Sequence, residues 1–215
     1  MYRPRLLALP AIGILFLAAC SRSPETAKKA EERASAPVKE TPAEPKEANT
    51  YKVRFETSKG NFVVEVHPDW APLGAKRFQE LVQAGFYDGA RFFRVVPNFV
   101  VQFGLASEPR MTKKWDVAIK DDPVKRTNGL GTLAFATMGK DTRTSQVFIN
   151  LRSNQTLDDR GFAPFARVIE GMNVVESLYS GYGERPEQDA ITRNGNAYLE
   201  KNFPKLDYIK FAKVL

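Results

Sequence analysis

The 215-residue sequence predicts a mainly β domain, an antiparallel sheet closed on itself or folded into a sandwich, with two helices against it. Three observations lead there. Short apolar runs with a period of two recur at close spacing from Tyr51 onward, and only two segments carry a helical stripe. Hydrophobic residues make up 43% and charged residues 27%, the balance of a globular core with a wet surface.

Taken in order, YKVRFETSKGNFVVEV reads as a hairpin. Val53 and Phe55 alternate with Lys52, Arg54 and Glu56, the chain turns at Ser58–Asn61, and Phe62, Val64 and Val66 resume the alternation. His67 follows, read as a surface residue entering a turn. DWAPLGAKRFQELVQAG is the first helix, with Pro72 near its start, a stripe of Ala75, Phe78, Leu81 and Val82, and Gly85 as its stop. Further strands are expected at Arg91–Val96, Phe99–Phe103, Thr132–Ala136, Val147–Leu151 and Phe165–Val168. Met172–Tyr179 is the second helix, with Met172, Val175, Leu178 and Tyr179 on one side. Arg110–Lys125 is polar and weakly patterned and reads as a long loop, and the tail AYLEKNFPKLDYIKFAKVL as a helical turn and a last strand.

The first fifty residues are of another kind. MYRPRLLALPAIGILFLAAC has a basic start (Arg3, Arg5) and an apolar run from Leu6 to Leu17, shorter than the ~20 residues needed to span a bilayer. It fits a secretory leader over residues 1–19. Leu17-Ala18-Ala19-Cys20 resembles the lipobox of bacterial lipoproteins, where cleavage leaves a lipidated Cys at the new N-terminus; the alternative is an ordinary leader with an incidental Cys. Cys20 is the only cysteine of the chain. Residues 20–50 then read as the anchor and a disordered tether, since Ser21–Thr50 holds no aromatic residue and balances six acids against six bases. The folded domain is expected over 51–215. Serine, not aspartate, follows Cys20, which resembles outer-membrane sorting in a host with two membranes, the domain then facing the periplasm.

Charge and composition exclude several chemistries. Lys+Arg 32 against Asp+Glu 25 gives +7, and the expected leader takes two of those bases; the excess is spread thinly, without the clustering a nucleic-acid face requires. One His and one Cys leave no material for Ser-His-Asp or Cys-His machinery or for most zinc sites.

The stretch Phe92–Gly104, FFRVVPNFVVQFG, sets one polar residue in each of two apolar runs that meet at Pro97-Asn98. Arg94 shares a face with Phe92 and Val96, Gln102 with Val100. A buried cation without acceptors is costly. On pattern alone Arg94 either snorkels to water or pairs with an acid such as Asp88, or it serves a cleft.

Together with GTLAFATMG and TSQVFINL, that stretch resembles the cyclophilin family of peptidyl-prolyl isomerases, over about Tyr51 to Tyr179. GFAPFARVIEGMNVVESLYSGYGE and GNAYLEKNFPKLDYI look like a bacterial branch of it. The resemblance implies a closed antiparallel eight-stranded β-barrel capped by two helices. It also implies a monomer that acts on proline-containing polypeptides without cofactor or metal. Carried over position by position, Arg94 is the catalytic centre and Gln102 holds the substrate backbone. Phe99 floors the proline pocket, with Val100 where the family often has Met. Ala136 and Thr137 supply main-chain bonds, Thr137 standing where Asn is usual. Gln146 and Phe148 come from the SQ-x-F motif, Leu157 closes the pocket, and Phe162 stands where a His is common. Thr156 replaces a frequent Trp, which implies weak binding of cyclosporin. Three functions follow as expectations: an isomerase assisting exported proteins, a cyclophilin-like binding module or holdase, and a structural envelope lipoprotein.

Overall fold

The computed structural model describes residues 50–215. The leader, Cys20 and the tether up to residue 49 lie outside the described residues. Eight strands, β1 (Tyr51–Thr57), β2 (Gly60–Val66), β3 (Arg94–Val96), β4 (Val100–Phe103), β5 (Thr132–Phe135), β6 (Val147–Asn150), β7 (Pro164–Glu170) and β8 (Ile209–Val214), form one sheet. Its order is β3-β4-β6-β5-β7-β2-β1-β8, and every pair in it is antiparallel.

The sheet is an open half-barrel, which corrects the closed barrel expected from sequence. No ladder joins its two end strands. The isolated bridge Arg91–Tyr208, flanked by bonds such as Phe92 N–H to Asp207 O at 3.0 Å, is what brings the ends together. The physical cause lies between Phe92 and Val95. These two, three residues apart, are both buried in the main core, while Phe93 enters a second one. The period of two therefore breaks before Arg94, which does not share a face with Phe92, contrary to the sequence reading, and β3 keeps only three residues.

The main core is aromatic. Phe55 stacks on Phe62 with centroids 4.7 Å apart, and Phe78, Tyr87, Phe103, Phe135 and Phe165 complete the packing. Helix α1 (Pro72–Gln83) lays Ala75, Phe78, Leu81 and Val82 into it. It starts on Pro72 and stops on Gly85, whose φ of 64° lets Gly85 N–H reach Val82 O and Phe86 N–H reach Leu81 O. No local side chain caps its start. The Asp122 carboxylate does so from a distance, accepting Leu73 N–H at 3.0 Å and Gly74 N–H at 2.8 Å.

Two caps were expected; among the described residues there are five α-helices. Besides α1 these are α2 (Pro109–Trp115), α3 (Met172–Glu176), α4 (Gln188–Asn194) and α5 (Asn196–Asn202). The stretch read as a loop from Arg110 therefore begins as a short helix, entered through Pro109 and seated by Thr112, whose Oγ1 accepts Ala106 N–H at 3.0 Å. The tail from Ala197 holds most of α5 and the last strand β8, as expected, and α4 precedes it. Ile191 of α4 and Leu199 of α5 build a second small core with Phe93, Leu105 and Leu206. His67 is buried, contrary to the sequence reading: its ring lies flat on Trp70 at 3.8 Å, and its Nε2 is 3.1 Å from Glu65.

Candidate active site

Register alone assembles the centre of the site. Arg94 on β3 lies opposite Gln102 on β4, Gln102 opposite Phe148 on β6, and Phe148 opposite Ala134 on β5. Alternation sends Val95, Val101, Val147 and Ile149 into the main core, so the intervening residues line up on the other face. A cavity of about 1050 Å³ opens over that row. Arg94, Phe99, Val100, Gln102, Ala136, Thr137, Gln146, Phe148, Leu157 and Phe162 all line it, so the fold brings every sequence-derived site residue of the domain to one cleft.

One end of the cleft is an apolar slot. Val100, Ala134, Phe148 and Leu157 are buried there, with Phe99, Ala136 and Phe162 packed against them. Phe162 stands edge-on to Phe148 at 5.6 Å and 73°. A polar underlayer that sequence reasoning did not find fixes this slot. Asn128, Asn150 and Asn154 are all buried; Asn128 donates to Phe162 O at 2.8 Å and to Asp158 at 2.7 Å, and Asn154 donates to Phe99 O at 3.0 Å and to Asn150 at 2.8 Å. These bonds tie the slot's floor, wall and the 3-10 turn Gln155–Leu157 to one network.

The other end is polar. Arg94 donates from Nη1 to Gln102 Oε1 at 3.2 Å, and Gln102 donates onward to Gln146 Oε1 at 2.9 Å. The Arg94 guanidinium carbon stands 5.5 Å from the centre of the Phe99 ring. Its acid partner is Glu184, not Asp88: Nε and Nη2 converge on Glu184 Oε1 at 2.7 and 2.5 Å, while Asp88 accepts Ala212 N–H. The Arg94 side chain is 24% exposed, enough for a ligand in the cleft to reach it. Ala136 gives its N–H to Gln146 O, and Thr137 turns its hydroxyl into its own loop, toward Gly139 O and Thr142, so it offers the cleft main chain before side chain. Neither Glu184 nor the Asn network carries a short motif; the one available signal was polar residues inside strand-like or Gly-flanked stretches.

A fixed cation beside an apolar slot, with amides along one wall, can bind an extended peptide and donate to a nitrogen or carbonyl at the slot's mouth. Known proteins agree with that geometry. The family model described as cyclophilin type peptidyl-prolyl cis-trans isomerase/CLD matches residues 52–196, and the chain belongs to that family. It is thereby a peptidyl-prolyl cis-trans isomerase by class. A peptidyl-prolyl cis-trans isomerase of Acinetobacter baylyi is 42% identical over 142 residues, 61% of this chain and 72% of that protein. Peptidyl-prolyl cis-trans isomerase A of Dickeya dadantii is 37% identical over 132 residues, 59% of this chain and 70% of that protein. The crystal structure of a cyclophilin type isomerase from Cryptosporidium parvum superposes with a TM-score of 0.59 at 22% identity, over 78% of this chain and 98% of that one, a likeness of fold.

Proposed function

We propose that this domain turns X-Pro bonds at the Arg94 cleft, and that it does so for exported polypeptides while tethered to the envelope through lipid on Cys20. The observation that supports it is the row Arg94–Gln102–Phe148, a cation beside an apolar slot lined by Phe99, Val100, Phe148, Leu157 and Phe162.

Rotation about an X-Pro bond breaks amide resonance against a barrier of ~20 kcal/mol and takes tens of seconds or more unaided. No covalent bond forms or breaks, so the site needs neither nucleophile nor base. As the amide twists, the proline nitrogen becomes pyramidal and regains a lone pair. A donor aimed at that nitrogen binds the twisted state more strongly than the planar one, which is the condition for acceleration. The planar fork of the Arg94 guanidinium can also hold the neighbouring carbonyl. Phe99, Val100, Phe148, Leu157 and Phe162 grip the ring, while Gln102, Gln146 and the main chain at Ala136 and Thr137 fix the flanking peptide.

For location, the lipobox-like LAAC motif and the polar, aromatic-free stretch after it support a lipoprotein, and Ser21 supports the outer membrane if the host has two. Several acyl chains at ~0.8 kcal/mol per buried methylene would anchor it firmly. The test is direct. Full-length chain in detergent should speed cis-to-trans relaxation of a proline tetrapeptide, and Cys20→Ser should lose incorporation of labelled fatty acid. No acceleration removes the enzyme reading, and label in Cys20→Ser removes the anchor. A second reading, peptide binding with little turnover, is favoured by the Glu184 carboxylate that already sits on Arg94; it requires peptide binding without acceleration.

A further inference from the structure

The C-terminal extension of the domain has a physical task that the isomerase reading leaves unassigned. The turn that carries Glu184 is braced from within: Gly183 N–H bonds Ser180 O at 2.9 Å, and the Arg185 side chain bonds Gly181 O at 3.1 Å. It is also braced from below. Tyr182, two residues before Glu184, packs edge-on against Phe203 at 5.1 Å and joins the second core with Phe93, Leu105 and Leu199. Phe93 is the residue before Arg94. One small core thus clamps both the strand that presents the guanidinium and the turn that presents the carboxylate.

The contact itself is directional. Both Arg94 Nε–H and one Nη2–H go to a single carboxylate oxygen, and one Nη1–H goes to Gln102, which accounts for three of the five donors and fixes the guanidinium plane. An arginine side chain has four rotatable bonds, and the Phe99 face at 5.5 Å does not by itself select a direction in that plane. Glu184 does, from the side away from Gln102.

We propose that Glu184 is a positioning residue for Arg94, and that the helices α4 and α5 with their small core exist to hold it there. The proposal rests on the isomerase reading above. Its cost is some loss of positive field at the reacting nitrogen. Its gain is a guanidinium already aimed when the substrate arrives, so that ordering is not deducted from the acceleration.

The test uses the full chain in detergent and two readouts. In the free protein, the Nε–H resonance of Arg94 should be sharp and displaced by the carboxylate, and should move toward the ordinary arginine position in Glu184→Gln. Phe203→Ala, which opens the second core without touching the cleft, should move it the same way. In the peptide assay, Glu184→Ala should lower turnover about 3- to 10-fold with little change in KM, and the same substitution should change nothing in an Arg94→Ala background. Unchanged or faster turnover in Glu184→Ala overturns the proposal. So does a loss that persists without Arg94, since Glu184 would then act on substrate or fold. An unmoved resonance in Phe203→Ala overturns the task given to the extension. If the unmutated chain shows no isomerase activity, the functional reading fails on its own; the resonance then decides the pairing, a shift in Glu184→Gln supporting it and no shift overturning it.

Discussion

Asp122→Ala tests how the walls of the cleft are held. Asp122 is 5% exposed, and its carboxylate takes three donors: Leu73 N–H at 3.0 Å, Gly74 N–H at 2.8 Å and Arg143 Nη1 at 3.1 Å. Arg143 is itself 3% exposed and stands beside the loop that carries Thr137 and Thr142 along the cavity. Removing the carboxylate strands a buried guanidinium, a loss of about 3–5 kcal/mol, and uncaps α1, about 1 kcal/mol more. Part is retained, because Arg143 Nε keeps Asp121 at 3.2 Å and the side chain still donates to Lys120 O. A net loss of about 3–4 kcal/mol lowers the melting temperature of a domain this size by roughly 6–16 °C. Urea unfolding followed by tryptophan fluorescence reads it through Trp70 and Trp115. Asp122→Ala combined with Arg143→Met should recover most of the loss, since no unpaired charge stays buried. A loss under about 1 kcal/mol, or a double variant as weak as Asp122→Ala, would refute the reasoning.

Other outcomes follow from the same structure. Leu157→Ala should raise KM about tenfold with turnover nearly unchanged, since it removes apolar contact of roughly 1.5 kcal/mol from a ring pocket away from Arg94; peptide kinetics check it. Gly104→Ala should cost at least about 2 kcal/mol by chemical unfolding: φ is 106°, and a Cβ would lie 2.4 Å from Ser145 O and 2.8 Å from Gln146 Cα. Burial pushes the Tyr51 and Tyr87 hydroxyls well above the usual tyrosine range, and each donates to a carbonyl, Ala75 O at 2.7 Å and Ser145 O at 3.2 Å. The folded state therefore keeps protons that the unfolded chain releases near pH ~10, so stability is full below that point and falls as pH rises beyond it. Replacing both by Phe should flatten the alkaline limb of a stability profile. Cyclosporin should inhibit weakly, and Thr156→Trp, at an exposed position next to Leu157, should tighten it in the same assay.

The parts of this fold governed by local rules could be read from the sequence. Period-two alternation located seven of the strands to within a few residues, and the stripe of α1 with Pro72 and Gly85 defined that helix. The site row was legible because Arg94 and Gln102 flank one tight turn, eight residues apart. What was missed depends on distance along the chain. Glu184 reaches Arg94 across 90 residues, and Asp122 caps α1 from 48 residues away. Where β3 begins turns on a break in phase, Phe92 and Val95 both entering the main core, which a run of apolar residues does not reveal. Helix α2 has seven residues, too few for its one buried position, Thr112, to register as a stripe. His67 is the local exception: Trp70 and Glu65 are three and two residues from it, but that the Trp70 ring covers it is side-chain packing, which the sequence pattern does not record.

The central claim is that a fixed positive charge beside the proline slot drives the rotation. Its most direct test is exchange NMR of a prolyl peptide with the unmutated chain and with Arg94→Ala at matched occupancy. The account predicts that the cis–trans exchange rate of the bound peptide falls about 10²–10³-fold while affinity changes little. An Arg94→Ala protein that exchanges its bound peptide as fast as the unmutated chain would contradict it.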